Sequence, residues 1–351
     1  MTVTESLPVQ ARAVRLGYVP ALDGVRALAI ALVAVYHGVM PAHFGGAGGV
    51  DVFFVLSGFL ITTLLLEERE ATGGVSLRRF YVRRAIRLYP PLLLMLAVVF
   101  IPIAITMGVT TATTGSTLSL FYLMPLGAES GSTTLSPYEH AWSLGVEEWF
   151  YFVWPPALVW LLAKPANRKR AALIAASAAT AVLAVAAFLA EARAGEVSFI
   201  LRACGLMAGS VLALGLHGRE FRVGRWVGVA GVALFGFSLL RSTLAPFSTI
   251  DVFSADAGAL LLVVAIVRGP QGLLRRVLSL PPMTYIGRIS YEIYLWHYPI
   301  LCLFGIVAGT DFLGVGWAAL PVSLLLAAAA HRLTQPLTSL LRARMAARNP
   351  A

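Results

Sequence analysis

The chain has 351 residues, 58% of them hydrophobic and 13% charged, with a formal net charge of +10. Soluble domains carry about 25% charged residues, so an ordinary globular protein is excluded. Apolar runs of about 20 residues recur along the whole length, as in a polytopic helical membrane protein.

Ten spans are expected in chain order, at roughly 21–41, 48–66, 86–107, 142–163, 171–190, 198–216, 226–242, 253–268, 281–306 and 313–333. The predicted fold class is therefore an all-α integral membrane bundle. Residues 1–20 and 341–351 form short tails around a single transmembrane domain over 21–340. The N-terminus does not read as a cleavable signal peptide. Its apolar stretch starts after residue 20, contains Asp and Arg, and lacks an A-x-A-like cleavage site. Segment 116–127 (STLSLFYLMPLG) is apolar but too short to span, and reads as a re-entrant or interfacial piece. Cys204 and Cys302 both sit in apolar runs, so neither a disulfide framework nor a metal site is indicated.

The arginines orient this topology. With the N-terminus inside, 22 of the 27 Lys and Arg residues fall on inner segments, while the long outer connection 108–141 has none. This asymmetry predicts cytoplasmic N- and C-termini. It also accounts for the net charge through topology and anionic lipid, with no need for nucleic acid.

The first span, LDGVRALAIALVAVYH at 22–37, keeps three ionisable groups. Arg26 and His37 are eleven residues apart, about 16 Å along a helix and nearly on one face, and Asp23 lies within about 40° of His37. The stripe reads either as a structural Asp–Arg pair with a hydrogen-bonded histidine, or as a buried site. In GGAGGVDVFFVLSGFLIT, residues 45–62, Asp51 lies at the outer edge of the second span, and Ser57 and Gly58 read as packing residues. A serine nucleophile would need a GxSxG elbow, which is absent. The run FYVRRAIRLYP at 80–90 places Arg83, Arg84 and Arg87 in a basic collar that sets topology or holds a phosphorylated ligand.

HAWSLGVEEWFY at 140–151 brings His140, Trp142, Ser143, Glu147 and Glu148 to the start of the fourth span. Ser143 is a candidate helix cap. Either glutamate is a candidate partner for His37, because a carboxylate beside an imidazole orients it and raises its basicity. Arg202 is a further charge within a span. In IGRISYEIYLWHYPI at 286–300, Arg288 and His297 lie within the ninth span, where aromatic crowding reads as packing or as a lined cavity.

Together these segments resemble acyltransferase family 3, a family of membrane O-acyltransferases. The resemblance runs from residue 20 to about 340. It rests on Arg26–x10–His37, GVDVFFVLSGFLI at 49–61, FYxRRxxRxYP at 80–90, HxWSLxxEExFY at 140–151 and RISYxIYLxHxP at 288–299. One departure is Gln335–Pro336, where the family carries Glu-Pro. Some members also carry an esterase-like domain after the last helix, so the chain is expected to be a stand-alone acyltransferase.

The resemblance implies transfer of an acyl group, most often acetyl, from acyl-CoA to a hydroxyl on a carbohydrate, at the bacterial cytoplasmic membrane and without a metal. His37 is the expected general base, since a hydroxyl is a poor nucleophile at neutral pH. Glu147 or Glu148 would orient it, and Arg26, Arg83, Arg84 and Arg87 would hold the CoA phosphates. The expected partners are the bilayer, the acyl-CoA donor, and a glycan, glycolipid or glycosylated small molecule such as a macrolide sugar. A transporter using the same His, Glu and Arg as a relay is the alternative. Against it, the sequence shows no inverted repeat and no paired broken helices.

Overall fold

A computed structural model describes residues 16–39, 48–129, 133–163 and 168–348. Arg12, Arg15 and Lys164, counted above among the inner charges, lie outside the described residues. Among those described there is no strand. The helices are α1 (Pro20–Gly38), α2 (Gly48–Thr72), α3 (Leu77–Met107), α4 (Val109–Leu120), α5 (Met124–Glu129), α6 (Trp142–Ala163) and α7 (Arg168–Ala194). They continue as α8 (Cys204–Leu216), α9 (Arg225–Leu244), α10 (Thr249–Arg268), α11 (Leu273–Leu278), α12 (Pro281–Arg288), α13 (Ser290–Ala308) and α14 (Phe312–Arg348). Two 3-10 segments, Thr133–Ala141 and Leu201–Ala203, lead into α6 and α8.

Eight helices (α1, α2, α3, α7, α9, α10, α13 and α14) are long and apolar enough to cross a membrane, and the chain is a polytopic membrane helix bundle. The other two expected spans are also helical. Over 142–163, α6 carries two glutamates, Pro155 and Pro156, which lower its hydropathy, and 201–216 forms a shorter apolar helix.

Three elements depart from the expected spans. First, α3 begins at Leu77 instead of about residue 86, because the Ser76 side chain caps it by accepting from the Arg79 amide at 3.3 Å. The FYVRRAIRLYP run therefore lies inside the helix, and Arg84 and Arg87, three residues apart, share a face. Second, the expected ninth span breaks at Ile289 (φ −94°, ψ 12°), separating α12 from α13. Third, α4 turns back along α3, so Tyr122, just after it, reaches Tyr89 with ring centroids 5.9 Å apart. The 116–127 segment is thus split between the end of α4, which lies along α3, and the start of α5, which packs on α6.

The bundle is built around α2, which packs on α1, α8 and α10. Bilayer-spanning helices gain little hydrophobic drive from one another, so small residues that let backbones approach carry much of the packing. Gly58 does this here: a Cβ on it would overlap the Leu206 carbonyl of α8, and a Cβ on Gly209 of α8 would overlap the Val55 carbonyl of α2. Ser210 seals the crossing by donating to Leu206 O at 3.0 Å and to Gly58 O at 3.4 Å. Buried side chains such as Phe54, Leu65, Met95, Tyr151 and Leu158 fill the space between α2, α3 and α6.

Gly58→Ala should destabilise the bundle by about 1–3 kcal/mol through overpacking. Gly236→Ala, at an exposed helical position with open space around it, should be neutral or stabilising by up to about 1 kcal/mol. Thermal denaturation of the two variants in detergent measures the contrast.

Candidate active site

Three cavities run in series through the bundle. The first is a cavity of about 80 Å³ lined by Arg26 of α1, Arg84 and Arg87 of α3, Glu147 and Glu148 of α6, and Tyr122, among others. The second, about 50 Å³, shares Arg26, Ser57, Leu144, Glu147 and Tyr291 with the first and adds Ser143 and Tyr294. The third is the largest, about 460 Å³, and holds His37, His140, Trp142 and Arg202. Val50 and Tyr294 line both the second and the third. The polar stripe of α1 therefore links two ends, with Arg26 in the first and second cavities and His37 in the third. Asp23 is not part of it, because it accepts from the Tyr18 hydroxyl at 2.8 Å.

At the arginine end, Arg84 donates from Nε to Glu148 Oε1 at 2.8 Å, and its Nη2 lies 3.8 Å from Glu147 Oε1. Its guanidinium also stacks 3.2 Å from the Tyr151 ring centroid. Glu147 accepts from both Ser57 Oγ and the Tyr151 hydroxyl. Ser57, read as a packing residue, is thus also a hydrogen-bond donor within the site. Among the described residues neither Arg26 nor Arg87 has a carboxylate partner, and Arg26 Nε is buried without a hydrogen bond. Arg83 leaves the group: it is paired with Glu68 at 3.1 Å toward the surface. Arg288 is exposed, with Nε donating to Thr284 O at 3.3 Å, and lines none of the three cavities.

At the histidine end, His37 Nδ1 lies 2.9 Å from the Val33 carbonyl. A carbonyl only accepts, so Nδ1 carries the proton and Nε2 holds the free lone pair. The expected carboxylate partner is absent: Glu147 and Glu148 belong to the arginine end, and a backbone carbonyl of α1 orients the imidazole instead. The expectation failed because the rotation of α6 about its own axis, fixed by Ser57, Tyr151 and Arg84, is a tertiary property.

Two further imidazoles pack beside His37. His297 lies 5.3 Å from it, ring centroid to ring centroid, and His140 lies 5.5 Å from His297. His297 Nδ1 donates to the Tyr294 carbonyl at 2.7 Å, while its Nε2 is buried without a partner. His140, in the 3-10 segment ahead of α6, is 3% exposed and neither ring nitrogen makes a hydrogen bond. The Leu295 carbonyl lies near this ring but outside hydrogen-bonding geometry. Burial, reinforced by the nearby His37, pushes His140 down to about 3, so it is neutral at pH 7. Among the described residues, no three His, Cys, Asp or Glu side chains are placed to hold a metal ion.

Arg202 lines the large cavity and is paired with Asp51 behind it. Arg202 Nε donates to Asp51 Oδ1 at 3.0 Å and Nη2 to Oδ2 at 2.7 Å, a two-pronged pair with Asp51 fully buried. The guanidinium lies 5.1 Å from the Trp142 ring centroid and 5.3 Å from that of Phe247. Ser143 does not cap α6: its Oγ lies 2.7 Å from the Tyr294 hydroxyl, which donates to the His140 carbonyl. The sequence reading missed Tyr294, Tyr298, Glu139 and Glu196, all on the large cavity, and the buried Asp256, which accepts from Cys204 Sγ at 3.6 Å. Asp256 had a signal, since it is an acid inside the apolar run of α10.

A helical membrane bundle with guanidiniums and imidazoles facing linked internal cavities belongs to the class of integral-membrane enzymes and carriers. Comparison with known proteins narrows this. The chain belongs to acyltransferase family 3, whose acyltransferase domain matches residues 19–332. It is 30% identical over 310 residues to O-acetyltransferase OatA of Staphylococcus aureus (strain NCTC 8325 / PS 47), covering 81% of this chain and 51% of that protein. Peptidoglycan O-acetyltransferase OatA of Listeria monocytogenes is 30% identical over 311 residues, 82% of this chain and 50% of that one. The putative peptidoglycan O-acetyltransferase YrhL of Bacillus subtilis is 30% identical over 82% of this chain and 49% of its own. The chain thus spans about half the length of the curated relatives it matches. No solved structure matches it.

Asp51→Asn should cost about 3–5 kcal/mol by removing the charge onto which the buried Arg202 guanidinium is forked, and Asp51→Leu with Arg202→Met should cost less than the single change. Unfolding midpoints of the two proteins in detergent decide this.

Proposed function

We propose that the chain transfers an acetyl group from an acetyl thioester, acetyl-CoA, to a hydroxyl of a cell-surface glycan, working as a multi-pass enzyme of the bacterial cytoplasmic membrane with both termini inside. The observation that carries this reading is the series of cavities that share walls between the arginine end and the histidine end. Arg26 and Arg87, which form no ion pair among the described residues, supply the attraction for the CoA phosphates, with Arg84 held beside them by Glu148. Guanidiniums suit this role because their fork matches phosphate geometry. The pantetheine arm then carries the thioester along the polar stripe of α1 toward His37, whose free Nε2 takes the proton of the acceptor hydroxyl.

The large cavity suits the acceptor. Trp142 and Phe199, with ring centroids 4.7 Å apart, give it an aromatic wall, and Glu139 and Glu196 add acceptors for hydroxyl groups. The relatives named as peptidoglycan O-acetyltransferases support a surface glycan as acceptor. Glu147 and Glu148 act as positioning residues: Glu148 anchors Arg84, and Glu147 holds Ser57 and Tyr151.

Purified protein incubated with radiolabelled acetyl-CoA and a glycan extract tests the reading. His37→Ala should lower transfer by about 10²–10⁴-fold with CoA binding retained. Arg26→Ala and Arg87→Ala should instead raise the KM for acetyl-CoA about ten-fold or more, the worth of a lost charge-assisted contact. Wild type that neither binds nor turns over acetyl-CoA refutes the donor, and label appearing on a cytoplasmic glycosylated small molecule refutes the surface acceptor.

A further inference from the structure

Resting on that reading, we propose that His140 is a second catalytic imidazole, whose N–H donates to the oxyanion formed when the hydroxyl adds to the thioester. Acyl transfer places negative charge on one oxygen in its transition state, and fixed donors aimed at that oxygen contribute strongly in a site shielded from water. Several donors on and beside the large cavity are committed. Arg202 holds Asp51, the Tyr294 hydroxyl holds the His140 carbonyl, and His297 Nδ1–H holds the Tyr294 carbonyl. His297 is therefore left with an acceptor and no donor. A neutral imidazole carries one N–H and one lone pair, and neither ring nitrogen of His140 is hydrogen-bonded. An unmade buried hydrogen bond is costly, and a ligand oxygen on the same cavity relieves it.

The ring is also held in place. It packs 5.5 Å from Tyr294, 5.3 Å from Tyr298 and 5.5 Å from His297, centroid to centroid, and its backbone carbonyl is pinned by the Tyr294 hydroxyl. His37 touches the same Tyr298 and His297, at 5.0 and 5.3 Å, so base and donor flank one region of the cavity. Their division of labour follows from charge, since His37 becomes an imidazolium during the reaction and a neighbour that stays neutral remains a donor without repelling it.

In the step itself, the acceptor oxygen bonds to the thioester carbonyl carbon as His37 Nε2 takes its proton. The carbonyl π pair moves onto oxygen, where the His140 N–H meets it. Collapse of the tetrahedral intermediate re-forms the carbonyl and breaks the C–S bond. The sulfur leaves as thiolate and takes the proton from His37, giving the ester, the free thiol and a neutral imidazole.

The test compares His140→Gln, which retains an N–H donor, with His140→Phe, which fills the space without one. The expected result is a kcat about 10²–10³-fold below wild type for the Phe variant and within about ten-fold for the Gln variant, both with unchanged affinity for a non-cleavable acetyl-CoA thioether. Equal activity of the two variants overturns the proposal. If the Phe variant does not fold, His140→Ala takes its place in the comparison. His37→Ala run alongside separates the two readings: its retained activity would remove the base assignment while the His140 pair still reports on the donor. If acetyl-CoA supports no turnover, the same variants are read by the O-acetyl content of the cell-surface glycan with the cell's own donor, and a wild type that adds no acetyl there overturns both.

Discussion

A guanidinium inside a bilayer-spanning bundle needs a counter-charge, and Arg84 occupies both carboxylates within its reach. Its fork onto Glu148 and its approach to Glu147 tie α3 to α6, and the hydrogen bond from Ser57 to Glu147 brings α2 into the same knot. The rotation of α6 follows from this knot. With both glutamates turned toward α3, none is left for Arg26, Arg87 or His37. The surplus of positive charge at one end and the imidazoles that neither α6 glutamate reaches at the other are two results of one pairing. The bundle accepts the cost of uncompensated polar groups at both ends, Arg26 Nε at one and the His140 ring nitrogens at the other, and such groups in a membrane interior mark function.

Two other arginines follow the opposite rule. Asp51 with Arg202, and Asp251 with Arg241, are satisfied within the bundle and fasten helices together. Breaking such a pair exposes one charge to an apolar interior, whereas an unpaired cavity arginine can be removed with little strain on the fold. Stability and activity should therefore respond to different arginines.

Much of this was legible in the residues. Run lengths gave the helical bundle, and the eleven-residue interval from Arg26 to His37 gave one face of α1 with its two ends. Helix periodicity also contains the Glu147–Tyr151 bond, four residues apart on α6. The imidazole cluster could not be read in the same way. His37, His140 and His297 come from α1, the 3-10 segment and α13, and only tertiary packing brings them together. The break at Ile289 did leave a signal, since Gly287, Arg288 and Ser290 interrupt the apolar run there, but a span reading based on length bridged it. A His–Glu dyad was expected because both residue types lay near span ends. Depth along a helix says nothing about azimuth, and azimuth assigned the glutamates elsewhere.

The partition formed by Val50 and Tyr294 has a bioenergetic consequence. A polar route running end to end through a membrane protein is a leak for protons, and the membrane potential acts on any charge that crosses. Here an apolar Val50 and an aromatic ring stand between the arginine-lined and histidine-lined spaces, and the guanidiniums on one side repel hydronium. A file of water molecules would be interrupted there, so the polar spaces at the two ends do not add up to one continuous path along which the gradient could drain.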